Sequence, residues 1–496
     1  MRRDHDYDAA NLGSSWRVCR SAKRRLDIIA VSMSCHNSEP SFVPLWARII
    51  DVICLTLVAL GAVVAISGGF QQWIARVRLS VTSPFPLFLW ALGFAIVRHW
   101  AVPRDPIYRE FPVRLVRWLC LPQVRSAAIA VVGTRLPILL VGYLAVSLFG
   151  YVNGRPPLRY FNNDLLNLPV RWDGGWYLQI VTDGYRFLSN ELEVQQNVVF
   201  FPAYPVLVRL VGRLFGGRMI GYVSAGMAVS LTSFFAALVY LYAFARERLD
   251  DDRAQYALWL IASYPFAVFF GAVYSESLFL LGAVAAFYHL SKAQVWQAAC
   301  WGFITGLTKP SGALLSIPFA ILVLSRPPGG RRLGRLAAAI APCVGLLLYV
   351  AFIWRLTGDP LAWARGHAAW GRTFEPVTRV VARQYSFIQH AGVGEYLAVG
   401  GYDVLNMVAA LFALGAAWPV GRRIGPAYAA FIAVIVVSSI ASGGWLSVGR
   451  HSSVLFPVFV WLAAAIPDRH RPAWLVGFMA FQALSAALFY TWRPMF

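Results

Sequence analysis

The stretch IGYVSAGMAVSLTSFFAALVYLYAFA, residues Ile220–Ala245, contains no charged side chain. A helix needs about 20 mainly apolar residues to cross the hydrocarbon core of a bilayer, and this stretch is long enough. Similar stretches recur from Val52 to the C-terminus with short polar breaks between them, so that the 496 residues are 58% hydrophobic and only 14% charged. The chain is therefore predicted to be a membrane protein with many spans rather than a series of soluble domains.

The predicted fold class is all-α and polytopic, with about 11–13 transmembrane helices. Two of these helices form a bent pair of short arms around the sequence TKPSG, Thr308–Gly312, in which a proline and a glycine interrupt the helix. The candidate spans are Ile49–Gly68, Pro84–Trp100, Ala127–Phe149, Ile220–Ala245, Ala254–Gly271, Leu278–Leu290, Trp296–Leu307, Ala313–Leu324, Leu336–Ile353, Leu405–Val420, Tyr428–Ala441, Val454–Ile466 and Leu475–Tyr490.

The net charge of +21 would suggest a nucleic-acid partner in a soluble protein. Here most of the arginines lie in short loops between apolar stretches, where they report membrane orientation, so no nucleic-acid partner is predicted. With the N-terminus in the cytoplasm, all the arginine-rich loops fall on the cytoplasmic side. These loops are Arg104–Arg125, Arg246–Arg253, Arg326–Arg335, Arg422–Arg423 and Arg469–Arg471.

Residues 1–46 are polar and basic and are predicted to form a disordered cytoplasmic tail. Residues 47–126 carry two spans, and residues 127–496 carry the others. Two long stretches, Tyr151–Arg218 and Thr357–Gly401, are predicted to lie outside. Both contain aromatic residues and arginines on a roughly helical period, which indicates amphipathic helices that lie on the membrane surface.

The sequence RWDGGWY, Arg171–Tyr177, places an acidic residue between two tryptophans in the first external stretch. The aromatic rings would exclude water from the carboxylate of Asp173 and make it a stronger base. An equally good interpretation of this sequence alone is an aromatic membrane anchor with an aspartate that caps a helix.

Three further segments place ionisable groups on the same predicted side of the membrane. Glu276 begins a span, Lys309 lies in TKPSG, and Arg450 and His451 precede another span. Ionisable groups at membrane depth are costly and usually functional. Taken alone, Lys309 or Arg450 could be a residue whose long side chain extends to the membrane interface. Because both lie on the same predicted side of the membrane as Asp173, they indicate a site.

The chain resembles the PIG-V-type mannosyltransferases of GPI-anchor assembly and their bacterial relatives, in the GT-C superfamily of membrane glycosyltransferases. The resemblance extends from about Val132 to Phe459 and depends on the order of several motifs. These are WDGGWYLQIVTDGY from Trp172, FFPAYP from Phe200, SYPFAVFFGAVYSESLF from Ser263, TKPSG from Thr308 and, more loosely, GRHSSVLFP from Gly449.

The resemblance implies a GT-C-like domain over 127–496, preceded by a two-helix addition at 47–126. It also implies transfer of a sugar, typically mannose, from a polyprenyl-phosphate donor to a lipid-linked or protein acceptor on the non-cytoplasmic face. Asp173 matches the position of the catalytic acid-base residue of GT-C enzymes. Lys309 stands where the bacterial relatives commonly carry arginine.

Each role in an inverting displacement has candidates in this sequence. Asp173 is the expected base, with Glu276 as its helper. Cations should hold the departing phosphate. The candidate cations are Lys309, Arg450 and His451. The candidate sugar-binding or acceptor-binding residues are Trp172, Trp176, Tyr204 and Asp183, with Asp164 as a further carboxylate.

No metal site or cofactor is predicted, because no His, Asp and Glu residues have metal-ligand spacing. The main alternative function is a transporter or flippase of a lipid-linked saccharide. A structural membrane subunit is a third possibility. The expected location is the inner membrane of a bacterial cell, with membrane lipid around the helices.

Overall fold

The structure is a computed structural model, and it describes most of the chain from residue 44 onward. The described residues are 44–67, 70–74, 77–81, 83–103, 106, 115–152, 154, 156–188, 194–325 and 332–494. Residues 1–43 of the predicted cytoplasmic tail therefore lie outside the described residues, while Leu45 and Trp46 already belong to the first helix.

Six helices in the described part of the chain are long and apolar enough to cross a membrane, and five shorter helices are also apolar. The all-α polytopic class is confirmed, while the number of 11–13 transmembrane helices stays a prediction. The long helices are Leu45–Ser67, Pro122–Phe149, Met219–Arg246, Arg332–Thr357, Gly401–Arg423 and Arg471–Tyr490. Four of the shorter ones are Phe85–Ala101, Glu276–Ser291, Pro426–Ala441 and Phe456–Ala465.

The remaining elements are mostly short and connect or flank these helices. The other α-helices are Asp164–Asn167, Gly174–Asp183, Ala203–Leu214, Asp251–Ser263, Val295–Thr308, Pro310–Ala313, Ser316–Leu324, Ala362–Arg365, Val377–Val399 and Val448–Ser452. The 3-10 helices are Asn197–Val199, Ala267–Gly271, Gly366–Trp370 and Asp468–His470. Two strands, Phe70–Ile74 and Val77–Val81, pair antiparallel, an element that the sequence analysis did not predict.

The described residues fall into two compact units. The smaller unit lies within Met1–Val58 and Phe88–Phe111, and the larger within Ala59–Leu87 and Pro112–Phe496. In the smaller unit, the buried Arg98 Nε lies 2.8 Å from Asp51 Oδ1. Two charges buried among apolar helices are stable only when they are paired in this way.

One predicted span, Ala254–Gly271, is interrupted. The helix Asp251–Ser263 ends where Pro265 disfavours helical geometry at the residue before it, and a 3-10 helix follows. The break leaves backbone carbonyl groups without hydrogen-bond partners inside the helix. The buried Arg135 donates to two of them, those of Ala262 at 2.6 Å and Ala267. The break therefore delivers a non-helical segment to the start of the helix Glu276–Ser291.

The predicted bent pair around TKPSG is a helical hairpin. A β carbon on Gly312 would come within 2.0 Å of the Thr305 carbonyl oxygen, and one on Gly302 would lie 3.4 Å from the Phe319 ring. The second arm therefore runs back along the first. Lys309, with φ −156° and ψ 154°, lies at the point of reversal.

Both predicted external stretches contain helices rather than irregular loops. The first contains Gly174–Asp183 and Ala203–Leu214, and the second contains Val377–Val399. The amphipathic helices expected from the aromatic and arginine spacing are thus present. That these stretches lie outside the membrane stays a prediction.

Candidate active site

A cavity of about 1410 Å³ opens in the larger unit, and the residues of the predicted site gather around it. One face of the helix Gly174–Asp183 runs along the cavity, from Asp173 at its N-terminal end to Asp183 at its C-terminal end. Lys309 from the hairpin and Arg450 from the short helix Val448–Ser452 also line the cavity.

Asp173 occupies the cap position of its helix, but its side chain makes no capping hydrogen bond. Instead, its Oδ2 accepts from Arg450 Nη1 at 2.6 Å. Its backbone N–H donates to the Tyr274 hydroxyl at 3.1 Å, which fixes the start of the helix against the neighbouring segment. The alternative interpretation of Asp173 as a helix-capping aspartate is therefore not supported by the structure.

Glu276 lies behind the cavity wall as the buried partner of two cations. Its Oε1 accepts from Lys309 Nζ and lies 3.2 Å from Arg450 Nε. Glu276 is only 1% exposed, whereas Arg450 is 11%, Lys309 12% and Asp173 20% exposed. The two cations thus lie between a buried carboxylate and an accessible one.

These four residues come from four separate parts of the chain, and the structure places them in one charged cluster. Arg450 touches both carboxylates and so links Asp173 to Glu276. Charge-assisted hydrogen bonds of this kind are roughly twice as strong as neutral ones. The cluster is therefore a defined arrangement rather than a set of independent interface residues.

His451 also lines the cavity. Its Nδ1 lies 2.6 Å from the Ser439 hydroxyl oxygen on the helix Pro426–Ala441. The hydroxyl holds the imidazole in one orientation, which leaves Nε2 as the other hydrogen-bonding atom of the ring.

Of the four predicted sugar-binding or acceptor-binding residues, the structure places three on the cavity wall: Trp172, Trp176 and Asp183. The Trp176 ring stacks on Phe200, with the ring centres 6.1 Å apart. Asp183 lies at the far end of the helix and pairs with Arg186 at 3.2 Å.

Tyr204 is fully buried and does not line the cavity, so the structure does not support sugar stacking by this residue. Its hydroxyl donates to the Gly226 carbonyl at 3.0 Å and contacts the Ser230 hydroxyl. The further carboxylate Asp164 accepts from the Tyr151 hydroxyl at 3.1 Å, away from the cavity lining.

The second external stretch contributes cavity residues that were not predicted, among them His367, Trp370 and Arg372. The spacing of aromatic residues and arginines in this stretch predicted amphipathic surface helices, whereas the structure places Trp370 and Arg372 on the cavity wall. The Trp370 ring packs against Trp176 at 5.6 Å, and Arg372 Nη2 donates to the Ser447 hydroxyl at 2.8 Å.

The charge states of His367 and Arg372 follow from their surroundings. Burial and the charge of Arg450 lower the pKa of Arg372 to about 10, so this guanidinium is positive at neutral pH. Burial and the charge of Arg372 lower the pKa of His367 below its usual value, so the imidazole is neutral at pH 7. The Trp363 carbonyl can only accept, so His367 Nδ1 donates to it at 2.9 Å.

Within the described ranges, no group of three or more His, Cys, Asp and Glu residues could hold a metal ion. The cavity offers the chemistry of a carboxylate beside several cations. It can accept a proton at Asp173 and hold an anion near Arg450, Lys309 and Arg372.

Known proteins were compared with the chain at the level of sequence and of fold. Residues 157–326 match a family model described as mannosyltransferase (PIG-V). No curated protein matches the chain.

The solved structures to which the chain is similar include three of the oligosaccharyltransferase of Archaeoglobus fulgidus, each with a TM-score of 0.35. The complex with zinc and sulfate is 14% identical, with 71% of this chain and 53% of that chain covered. The complex tethered with an acceptor peptide is 13% identical, with coverage of 73% and 55%. The enzyme AglB with an inhibitory peptide and a dolichol-phosphate is 15% identical, with coverage of 73% and 56%. This chain therefore spans about half the length of the solved structures that it matches.

The family match includes Asp173, Glu276 and Lys309, whereas Arg372 and Arg450 lie beyond it. The match over residues 157–326 confirms the resemblance to PIG-V-type mannosyltransferases that the motifs in this part of the chain indicated.

Proposed function

We propose that the chain is an inverting glycosyltransferase that moves a sugar, mannose in particular, from a polyprenyl-phosphate donor to a lipid-linked or protein acceptor. We place the reaction on the external face of a bacterial inner membrane, in the GT-C-like domain of residues 127–496. The observation that carries the proposal is the cluster of Asp173, Arg450 and Lys309 in one cavity. Such a cluster supplies a base and a phosphate-holding group at adjacent positions.

In the proposed reaction, an acceptor hydroxyl oxygen forms a bond to the anomeric carbon of the donor sugar. The bond from that carbon to the phosphate oxygen breaks, and its electron pair leaves with the phosphate. The hydroxyl proton passes to Asp173. Its Oδ2 accepts from Arg450, and its other oxygen is available for this proton because no described residue donates to it.

The charges of the cavity suit a donor with one negative charge. At the Asp173 end of the cavity, Arg372 adds a third cation to the four-residue cluster, so that three cations stand against the two carboxylates and leave one positive charge in excess. Asp183, at the far end, pairs with Arg186. The phosphodiester of a polyprenyl-phosphate sugar carries one negative charge. Its binding would therefore neutralise the cluster in a cavity where unbalanced charge is costly.

Protonation of Asp173 and departure of the phosphate are coupled through Arg450 in this proposal. As Asp173 takes the proton, its carboxylate loses the charge that attracts Arg450 Nη1. The guanidinium can then interact more strongly with the phosphate, whose charge grows at the same time. Glu276 is buried and would hold Lys309 and Arg450 in place rather than contact the sugar.

The proposal is tested by a transfer assay with the purified protein in lipid nanodiscs, polyprenyl-phosphate mannose and extracted membrane acceptors. Loss of a catalytic base typically costs about 10²–10⁴ in rate, so Asp173→Asn should lower turnover by that factor. The control is Asp468→Asn, which removes an exposed carboxylate that pairs with Arg471 away from the cavity. The anomeric configuration of the product reports whether the transfer inverts.

Near wild-type turnover in Asp173→Asn would remove this residue from the role of base. If the wild-type protein instead moved a fluorescent lipid-linked saccharide across the bilayer without transferring sugar, the flippase alternative would replace the proposal.

A further inference from the structure

Backbone strain in the described residues is concentrated at the cavity. Four residues other than glycine have positive φ, and three of them, Trp172 (49°), Ser447 (64°) and Trp492 (60°), line the cavity. This conformation is uncommon for bulky side chains and is strained. Such strain persists only where the surrounding structure holds it, and it is typical of ligand-binding sites.

Two of the strained residues are tryptophans in mutual contact. The rings of Trp172 and Trp492 have centres 5.1 Å apart and planes inclined by 45°. Trp172 immediately precedes Asp173 in the chain, and Trp172, Trp492 and Asp173 all line the cavity.

The C-terminal end of the helix Arg471–Tyr490 is attached to the Asp173 loop by hydrogen bonds. Arg171 Nε donates to the Tyr490 carbonyl at 3.0 Å, and Trp172 Nε1 donates to the Phe489 carbonyl at 3.2 Å. Arg171 is fully buried, and its guanidinium carbon also lies 5.9 Å from the centre of the Trp492 ring. These contacts hold Trp492 in a fixed position. Trp492 lies beyond residues 157–326, the part of the chain that matches the family model.

From this arrangement we infer that Trp172 and Trp492 form a two-ring wall that binds the apolar face of a pyranose sugar, with Trp492 as an additional specificity-determining residue. One face of a pyranose ring presents C–H groups, which are attracted to the electron-rich face of an indole. The hydroxyl groups of the same sugar would remain free to contact Asp173. This inference rests on the proposed function, since it assigns a residue to the sugar of that reaction.

The sugar at this wall is that of the donor or that of the acceptor, and kinetics distinguish the two. Trp492→Leu removes the aromatic face but keeps an apolar side chain, whereas Trp492→Phe keeps an aromatic ring. An aromatic contact of this kind is worth up to about a factor of ten, so the leucine variant should raise one KM about tenfold. The phenylalanine variant should stay within about threefold of wild type.

The substrate whose KM rises, with the other at saturation, identifies the bound sugar. Trp474→Leu is the matched control, because Trp474 lies on the helix Arg471–Tyr490, packs on Phe478 and does not line the cavity. Both KM values of this control should equal those of wild type. If Trp492 had only a structural role, leucine and phenylalanine would lower Tm and kcat alike and leave both KM values unchanged, and the inference would be overturned.

A binding measurement separates this inference from the proposed function. Saturation-transfer NMR with methyl α-mannoside reports which sugar protons face the protein, without a lipid donor or turnover. Binding through one ring face that is lost in Trp492→Leu and kept in Trp492→Phe supports the wall even if the donor proves to be of another kind. Equal binding by both variants and the wild type contradicts it, and a wild-type protein that neither binds nor transfers sugar contradicts the proposed function as well.

Discussion

Lys309 is the cation whose role is most easily tested at the scale of a single residue. It lies at the reversal of the hairpin, is 12% exposed to the cavity and pairs with the buried Glu276. Its ammonium group acts as a point charge toward phosphate, so an arginine should replace much of its function, although with a different geometry.

We predict that Lys309→Ala raises the KM for the charged donor by about 10–100-fold, because removal of a charged hydrogen-bond donor costs about 1.5–3 kcal/mol. Lys309→Arg should recover most of the loss. The measurement is the donor dependence of transfer, and Lys292→Ala is the control, since Lys292 pairs with Glu247 outside the cavity. An unchanged donor KM in Lys309→Ala would make this residue a lysine that merely extends to the membrane interface.

A residue of the site could be predicted from the sequence only where its neighbours in the chain were unlike those of an ordinary membrane-interface residue. An aspartate between tryptophans and a lysine in an apolar hairpin are costly without a function, so Asp173 and Lys309 stood out. Arg372 and Trp370 did not, because arginines and aromatics at this spacing are also typical of a surface helix. Only the three-dimensional arrangement shows that they line the cavity.

At the scale of elements, the hairpin that carries Lys309 depends on close contact between backbones. A β carbon on Gly306 would lie 2.0 Å from the Pro342 carbonyl oxygen, and one on Gly345 would lie 2.4 Å from that of Phe303. Small residues at such positions allow membrane helices to approach closely. The helix Arg332–Thr357 therefore supports the first arm of the hairpin and, through it, the position of Lys309.

We predict that Gly306→Ala destabilises the protein although alanine is the better helix former. Overpacking of this kind typically costs about 1–3 kcal/mol, which exceeds the gain of about 1 kcal/mol from helix propensity. Gly415→Ala is the control, because a β carbon there meets no atom within 4 Å. Thermal unfolding in detergent should show a lower Tm for Gly306→Ala and an equal or higher Tm for Gly415→Ala. The same Tm for both variants would mean that the two helices are not in close contact.

The element that the sequence could not predict in full was the interrupted span at Ala254–Gly271. Its apolar residues continue past the break, so hydropathy alone suggests one helix. Pro265 within this stretch is compatible either with the end of a helix or with a kink inside one. The stabilising interaction is that of Arg135 with the freed carbonyls, and this residue lies more than a hundred positions earlier in the chain.

At the scale of the whole molecule, arginine-rich loops lie together at one end of the larger unit. The Tyr256 hydroxyl donates to the Arg471 carbonyl at 3.2 Å, and Arg248 Nη2 lies 3.4 Å from the Tyr428 hydroxyl. Arg248, Arg471 and Tyr428 lie in or beside three of the arginine-rich loops, and these contacts bring the three loops together. The helix Arg471–Tyr490 then runs from this end to the Asp173 loop, where Arg171 meets the Tyr490 carbonyl. The arginine-rich end and the cavity are therefore at opposite ends of a helix that is long enough to cross a membrane.

This arrangement leads to a prediction for the topology of the complete chain. By the positive-inside rule, we expect the end with the arginine-rich loops to face the cytoplasm and the cavity to face outward. A reporter inserted after Gly154, next to the Asp173 loop, should read as external, and one inserted after Arg423 should read as cytoplasmic. Paired alkaline phosphatase and green fluorescent protein fusions measure both positions. Reversed signals at both positions would place the cavity in the cytoplasm and rule out an external reaction. The same signal at both positions would contradict the odd number of candidate spans that lie between them.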